Sequence, residues 1–389
     1  MKKLIVIALA ALVALAACTK VNPEEKKADA ISFEVATYMT KADAFQGNNF
    51  LKECSSFYTN AWYYPASGDA QNYMPNVQIL PDNTTAPTQW APAVAYYWPK
   101  SGYINFFSYA SKNALTTGAN GELDLGNTYT TKGRQIKISN HKVVADDNIM
   151  IADAVYNATN ASHNADGAAV LDNLATGTSD SNFKGVPTMF RHILAQVKFN
   201  IGLATSTSHA GTNYIAKVTS AKVEKVVNKG SITLTAGTTN STALTTMPWT
   251  PASDGTVPGW TKSTVTTDVE DLTLSNSTNL TLAADSNTGN SELFLDFRSV
   301  LPQALSDDVV ITIKYDLQAL HGTTVYITEK DLEVSAKLNT AKLNSTTAIT
   351  SWCMNKRYTY NITIDPVTEV IIFDPAVADW TYATGSLAL

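Results

Sequence analysis

From Ala195 to Ile201 the chain alternates without a break: Ala195, Val197, Phe199 and Ile201 are apolar, while Gln196, Lys198 and Asn200 are polar. A strand turns successive side chains to opposite faces, so a period of two predicts a half-buried β-strand and argues against a helix. The signal returns at Val309, Ile311, Ile313, Tyr315 and Leu317, and again at Tyr358, Tyr360, Ile362 and Ile364. Ile31, Phe33 and Val35 carry it near the start. Residues 103–109, 135–138 and 148–155 are further strand candidates. Between them lie stretches rich in Thr, Ser, Asn and Gly, such as 235–246 and 275–290, which carry turn chemistry. Long amphipathic helical patterns are nearly absent. The chain reads as all-β, built from β-sandwiches with apolar faces inward.

With 389 residues the length favours two units, each large enough to bury a core. Residues 177–182 are turn-rich, and Gly185-Val186-Pro187 follows just before a strong new strand. This composition shift predicts an N-terminal sandwich at 30–186 and a C-terminal one at 187–389.

Ahead of them, Lys2 and Lys3 precede an unbroken apolar run over 4–14, and Leu15-Ala16-Ala17 leads to Cys18. The run is shorter than the roughly 20 apolar residues that span a bilayer. It therefore predicts a cleaved signal peptide at 1–17. The small-small-Cys ending resembles a bacterial lipobox, in which the cysteine is acylated and opens the mature chain. The alternative is an ordinary secretory signal with Cys18 incidental. Buried acyl chains contribute about 0.8 kcal/mol per methylene, and two or more form an anchor that hardly dissociates. Thr19, rather than an aspartate, favours the outer membrane by resemblance to bacterial sorting rules. Residues 18–29, charged and proline-containing, read as a lipidated, solvated tether.

Charged residues make up 16% and the net charge is -6, so no basic surface offsets phosphate repulsion and nucleic acid is excluded as a partner. After lipidation two cysteines remain, Cys54 and Cys353, either paired or held as buried thiols. The histidines (His141, His163, His192, His209 and His321) are scattered, with no H-E-x-x-H helix. No G-x-S-x-G elbow or P-loop appears. The reading is non-enzymatic, with no cofactor. His192 reads as a structural histidine. Asp146, Asp147 and Asp153 fit no EF-hand spacing, and the adjacent Asp146 and Asp147 read as a turn cap, so no metal site is assigned. Trp62-Tyr63-Tyr64 and Tyr96-Tyr97-Trp98 suit strand cores. Trp249 and Trp260 flank a Pro- and Gly-rich loop and are candidates for an adhesive contact, for instance a platform for sugar rings, against the alternative of core packing.

Several local words are more specific. Ile31-Ser32-Phe33, running to Thr40-Lys41-Ala42, resembles the opening strand of the fimbrillin family of Bacteroidetes lipoproteins. The aromatic stretch 97–109, the strand 147–152 and the stretch 190–199 resemble later strands of that family in family order. So do Trp352, Asn355, Tyr358, Tyr360 and Ile362, then Ile372-Phe373-Asp374-Pro375 and Trp380.

The resemblance implies two transthyretin-like β-sandwiches and a role as a lipid-anchored subunit of surface pili. In polymerising members a trypsin-like protease removes the first strand after a basic residue, and a strand of the next subunit fills the groove. Carried over, the removable strand is 31–41, with Lys41 as the candidate cleavage site and Lys52 as a second. Arginine is common at that place in the family, whereas the first arginine here is Arg134. An anchor or tip subunit that keeps its first strand therefore stays open. The candidate donor is Val370, Ile371, Ile372 and Phe373, with 381–389 beyond, or else these residues form the last core strand. The implied partners are other fimbrial subunits, the outer membrane through the lipid, and a host or bacterial surface ligand or glycan. The rival reading is a surface glycan-binding lipoprotein of a polysaccharide-uptake system.

Overall fold

A computed structural model describes residues 30–37, 50–117, 121–159, 185–204, 212–237, 245–247, 250–251, 260–273, 280–283, 292–343, 345–365 and 370–379. As expected, it is all-β. Apart from two short 3-10 turns and a helical turn at Phe50 and Leu51, its regular elements are strands.

The first group comprises β1 (Phe33–Thr37), β2 (Phe57–Tyr64), β3 (Gln71–Pro81), β4 (Trp90–Pro92) and β5 (Tyr103–Ser111). It continues with β6 (Leu123–Asp124), β7 (Gln135–Lys142), β8 (Ile149–Ala152), β9 (Ala154–Ala158) and β10 (Val186–His192). Backbone bonding runs β5-β2-β3-β4-β1-β10-β8, and β8 also pairs with β5. The ladder thus closes on itself, and a closed ladder offers no edge to a foreign strand. Its interior is aromatic: Phe33, Phe50, Phe57, Trp90, Phe106 and Phe190 are fully buried together. Residues 148–155, read above as one strand, divide into β8 and β9 at Asp153, whose N–H leaves the ladder to donate to Met189 O at 2.9 Å.

The next strands are β11 (Ala195–Leu203), β12 (Thr212–Val227) and β13 (Lys229–Thr235). Short pieces follow at β14 (Thr245–Met247), β15 (Thr250–Pro251) and β16 (Trp260–Lys262). Strand β13 pairs with β7, β15 and β16. This small sheet covers the outside of the ring, packing Ile136, Ile138, Ile232 and Leu234 against Tyr109, Ile149 and Ile151.

The chain closes with β17 (Val269–Thr273), β18 (Leu280–Ala283), β19 (Glu292–Val300), β20 (Gln303–Ala304), β21 (Val310–His321) and β22 (Thr324–Lys337). Then come β23 (Lys342–Leu343), β24 (Thr347–Ala348), β25 (Ser351–Trp352), β26 (Lys356–Asp365) and β27 (Val370–Asp379). The sheets β19-β11-β26-β27 and β17-β12-β21-β22 face each other across one apolar core. The alternation at 195–201 and 358–364 supplies its inward residues, and Phe199 stacks on Tyr360 with centroids 5.1 Å apart. Each such side chain contributes about 1.5–3 kcal/mol when buried.

The ladders cross the expected 186/187 boundary at three places, one of them the pairing of β14 with β9. Strand β10 begins at Val186 yet lies between β1 and β8 in the ring, and β13 completes the sheet begun by β7. Composition marks where a chain turns, but long-range pairing decides which sheet a strand joins.

Candidate strand-exchange site

The first strand occupies a slot in the ring between β4 and β10. It runs parallel to β10, from Phe33 beside Val186 to Thr37 beside Phe190. On the other side it meets β4 at one pair, Phe33 and Trp90. Just ahead, Ile31 N donates to Tyr96 O at 2.7 Å, and Val186 N donates to Ser32 O at 2.8 Å. The approach is close: a Cβ on Gly185 would come within 2.6 Å of Ser32 O, so only glycine fits.

Alternation turns Ile31, Phe33 and Val35 into the ring, all with at most 2% exposure. Phe33 stands edge-on to Phe57 and to Phe106, each with centroids 5.5 Å away. Together the three inward side chains contribute about 5–9 kcal/mol by burial. A slot emptied of this strand would present bare backbone on β4 and β10 above an apolar trough. That arrangement suits recognition by strand addition, with main-chain bonds for affinity and side-chain pockets for register.

The other sequence-derived candidates are distributed as follows. Cys18, Lys41 and Trp249 lie outside the described residues. Lys52 is exposed, in a turn whose neighbours Glu53 and Cys54 are buried. Trp260 is buried at 4% exposure, and its Nε1 donates to Ile193 O at 2.7 Å. This corrects its reading as an adhesive platform: the indole is packed against the ring's outer cover, with no open face for a ligand. Its proline- and glycine-rich setting resembled an exposed loop, but Trp260 itself begins β16.

Val370, Ile371, Ile372 and Phe373 open β27, which pairs antiparallel with β26 at the end of its sheet. Ile371 and Phe373 pack on the sandwich core, while Val370 and Ile372 face outward at 47% and 51% exposure. Both faces are apolar, as the sequence suggested, and one of them is uncovered.

Beside the slot lies a polar junction that sequence spacing did not reveal. His141 reaches Asp147 through Nε2 at 2.6 Å and Glu122 through Nδ1. His192 Nδ1 contacts Asn148 Oδ1 at 2.8 Å, and Asn148 Nδ2 donates to Glu53. Arg191 grips Asp153 with both ends of its guanidinium, Nε at 2.7 Å and Nη2 at 2.9 Å. Burial, chiefly, drives the His192 imidazole well below its ordinary range, with the Arg357 charge adding to the effect, so it is neutral. Apart from His141 and Asp147, six residues apart, these contacts link residues 19 to 95 positions apart, so no local motif announces them. Asp147 holds partners across the fold, beyond the turn role read from sequence, and Asp153 is paired with Arg191. Cys54 and Cys353, whose pairing the sequence left open, are free thiols.

Among solved structures, a fimbrial protein from Bacteroides vulgatus is similar at 15% identity, covering 90% of this chain and 100% of its own, with a TM-score of 0.48. The fimbrilin FimA of Porphyromonas gingivalis is 9% identical, with 92% of this chain and 98% of its own covered and a TM-score of 0.41. The tip fimbrial protein Mfa3 of Porphyromonas gingivalis is 8% identical, with coverages of 90% and 100% and a TM-score of 0.36. No curated protein sequence matches. A family model described as fimbrillin-like matches residues 59–380. That span takes in most of the ring and nearly all of the sandwich, and the chain belongs to the fimbrillin-like family.

Proposed function

We propose that this protein is a lipid-anchored, non-enzymatic fimbrial subunit that joins its neighbours by β-strand exchange and serves adhesion at the cell surface. In this reading residues 1–17 are removed, Cys18 is acylated, and 18–29 tether the body to the outer membrane. The ring with its covering sheet and the sandwich act as the two halves of the subunit, meeting between His192 and Ala195. Proteolysis after Lys41 releases β1, and the start of β27 from the next subunit enters the slot.

The observation that carries this reading is the seat of β1. A strand of five residues (Phe33–Thr37) is one stave of a closed ladder; Phe33 and Val35 within it and Ile31 just ahead are three buried apolar side chains. Removing it converts an edgeless ring into one with two open edges. Strand β27 has the complementary property: it ends its sheet, its backbone ladder is to β26, and its outward face is already apolar at Val370 and Ile372.

The test is the N-terminal residue of the protein recovered from intact cells, read by mass spectrometry on monomers and on oligomers that survive mild denaturation. The expected result is acylated Cys18 on monomers and Ala42 on oligomers. An unacylated cytoplasmic chain, or oligomers that retain residues 30–41, would overturn the proposal.

A further inference from the structure

We infer that Phe50 grades the β1 slot, so that an incoming strand must carry a bulky ring at the Phe33 position and nothing larger than valine at the Val35 position. The inference rests on the strand-exchange reading and adds what selects the strand.

Phe50 is fully buried inside the ring. Its centroid lies 5.2 Å from Trp90 and 4.7 Å from Phe190. Trp90 is the β4 neighbour of Phe33, and Phe190 is the β10 neighbour of Thr37. Phe50 therefore lies in the trough between β4 and β10, in the same core cluster as Val35, and Phe57 reaches the same two rings at 5.8 and 5.3 Å. Phe57, at 6.0 Å, backs the same ring. The Phe33 position is different, being walled by the edges of Phe57 and Phe106. On this inference the Phe33 position is the deep aromatic pocket and the Val35 position, two residues on, is the one that Phe50 makes shallow.

Phe50 stays when β1 leaves. The backbone N–H groups of Glu53 and Cys54 both donate to Phe50 O at 2.9 Å, closing a turn. Cys54 is buried in the ring core, and Glu53 accepts from Asn148. These ties all run to residues downstream of Lys41. A cut after Lys41 leaves the turn whole. A cut after Lys52 would detach Phe50 from Glu53 and put a charged amino terminus beside a buried carboxylate. Of the two candidate sites, Lys41 is the productive one.

The occupant that fits is the start of β27 from a second copy. Ile371, Phe373 and Pro375 repeat the order of Ile31, Phe33 and Val35: a branched aliphatic, a phenyl ring, then a side chain no larger than valine. Asp374 also repeats the acid at Glu34. In β27 these three form the inward face, with Ile371 and Phe373 half-buried and Pro375 buried, so one pattern serves both seats.

The experiment uses the full mature chain with a site-specific protease sequence inserted after Lys41, cleaved, and confirmed folded by circular dichroism. The probes are fluorescent peptides of residues 30–37 and 370–377, together with the 30–37 peptide carrying Val35→Phe. Both native peptides should bind. Forcing an oversized ring into a packed site should weaken the Val35→Phe peptide about tenfold, and Phe50→Ala should restore most of that loss. Phe50→Leu, which keeps most of the volume, should not restore it. Equal binding of the Val35→Phe and native 30–37 peptides would overturn the role of Phe50 while leaving strand exchange intact. Binding of 30–37 without 370–377 would overturn β27 as the occupant. Failure of every peptide to bind the folded, cleaved chain would overturn strand exchange and this inference with it.

Discussion

Phe33 stands edge-on to Phe106, their centroids 5.5 Å apart and their planes at 89°. The positive edge of one ring meets the negative face of the other, an arrangement worth about 0.5–1.5 kcal/mol beyond simple burial. The first strand is short, so this contact and the matching one to Phe57 carry much of its hold on the ring. Replacing Phe33 with Ala empties the deepest pocket of the slot. The expected loss is about 3–5 kcal/mol of stability, measured by urea denaturation, with faster proteolysis after Lys41. Unchanged stability would mean that the strand is held by its backbone alone.

Trp260 ties the covering sheet to the segment that leaves the ring, through its bond to Ile193 O at 2.7 Å. Trp260→Ala should destabilise the fold by about 3–5 kcal/mol. Trp260→Phe keeps most of the apolar contact but leaves a buried carbonyl without this donor, at about 1–3 kcal/mol. Adhesion per folded molecule should not change in the phenylalanine variant. Calorimetric melting and a binding assay on the same preparation separate the two effects.

How much of this was legible in the sequence depended on whether a strand kept its phase. Strands β11 and β26 keep strict alternation, and their inward residues were identified one by one. Strand β12 is the longest strand, with 16 residues, yet it escaped notice. Its pairing with β21 shifts between Val218 and Ser220, so a bulge moves the apolar positions from even numbers (Ala216, Val218) to odd ones (Ala221, Val223) and breaks the period. Phe50 was missed for a related reason. It sits on a helical turn with Cys54 four residues on, a spacing invisible to a search for a period of two. Closure of the ring through β5 and β8, and the crossing of β13 to β7, depend on partners distant in the chain, which alternation cannot specify.

The two free cysteines differ in access. Burial, reinforced by the charge of Glu53, pushes the Cys54 thiol up to about 12, so almost no thiolate exists at neutral pH, and the thiolate is the reactive form. Cys353 is only half-buried, with Ser351 Oγ at 3.5 Å. In the native protein at pH 8, iodoacetamide should label Cys353 and spare Cys54, and both should react in urea. Peptide mass mapping reads the outcome. Native labelling of Cys54 would show that the turn carrying Phe50 opens readily.

His141 is held between two carboxylates, Asp147 on Nε2 and Glu122 on Nδ1, with side-chain exposures of 1% and 20%. Burial alone would pull its pKa down. Hydrogen bonds to both acids and the attraction of their charges outweigh that, and the net shift is upward from 6.5. The unfolded imidazole titrates near 6.5, so folding takes up a proton in the interval between the two values. The stabilisation from the imidazolium is therefore full below about pH 6.5 and is lost as pH rises through the higher folded value. Asp147 is the reason this matters, because without the cation its buried carboxylate faces Asn113 Nδ2 at 3.2 Å as its other side-chain donor. The loop it anchors also meets β19, where Ser299 Oγ donates to Asp147 O and Ser299 N donates to Ala145 O. Between pH 6 and 8.5 the wild-type denaturation midpoint should fall relative to that of His141→Gln, which keeps a donor but cannot titrate. At low pH the wild type should be the more stable, and the two should converge as pH rises. A difference between them that is flat across the range would mean that His141 is neutral in the folded protein.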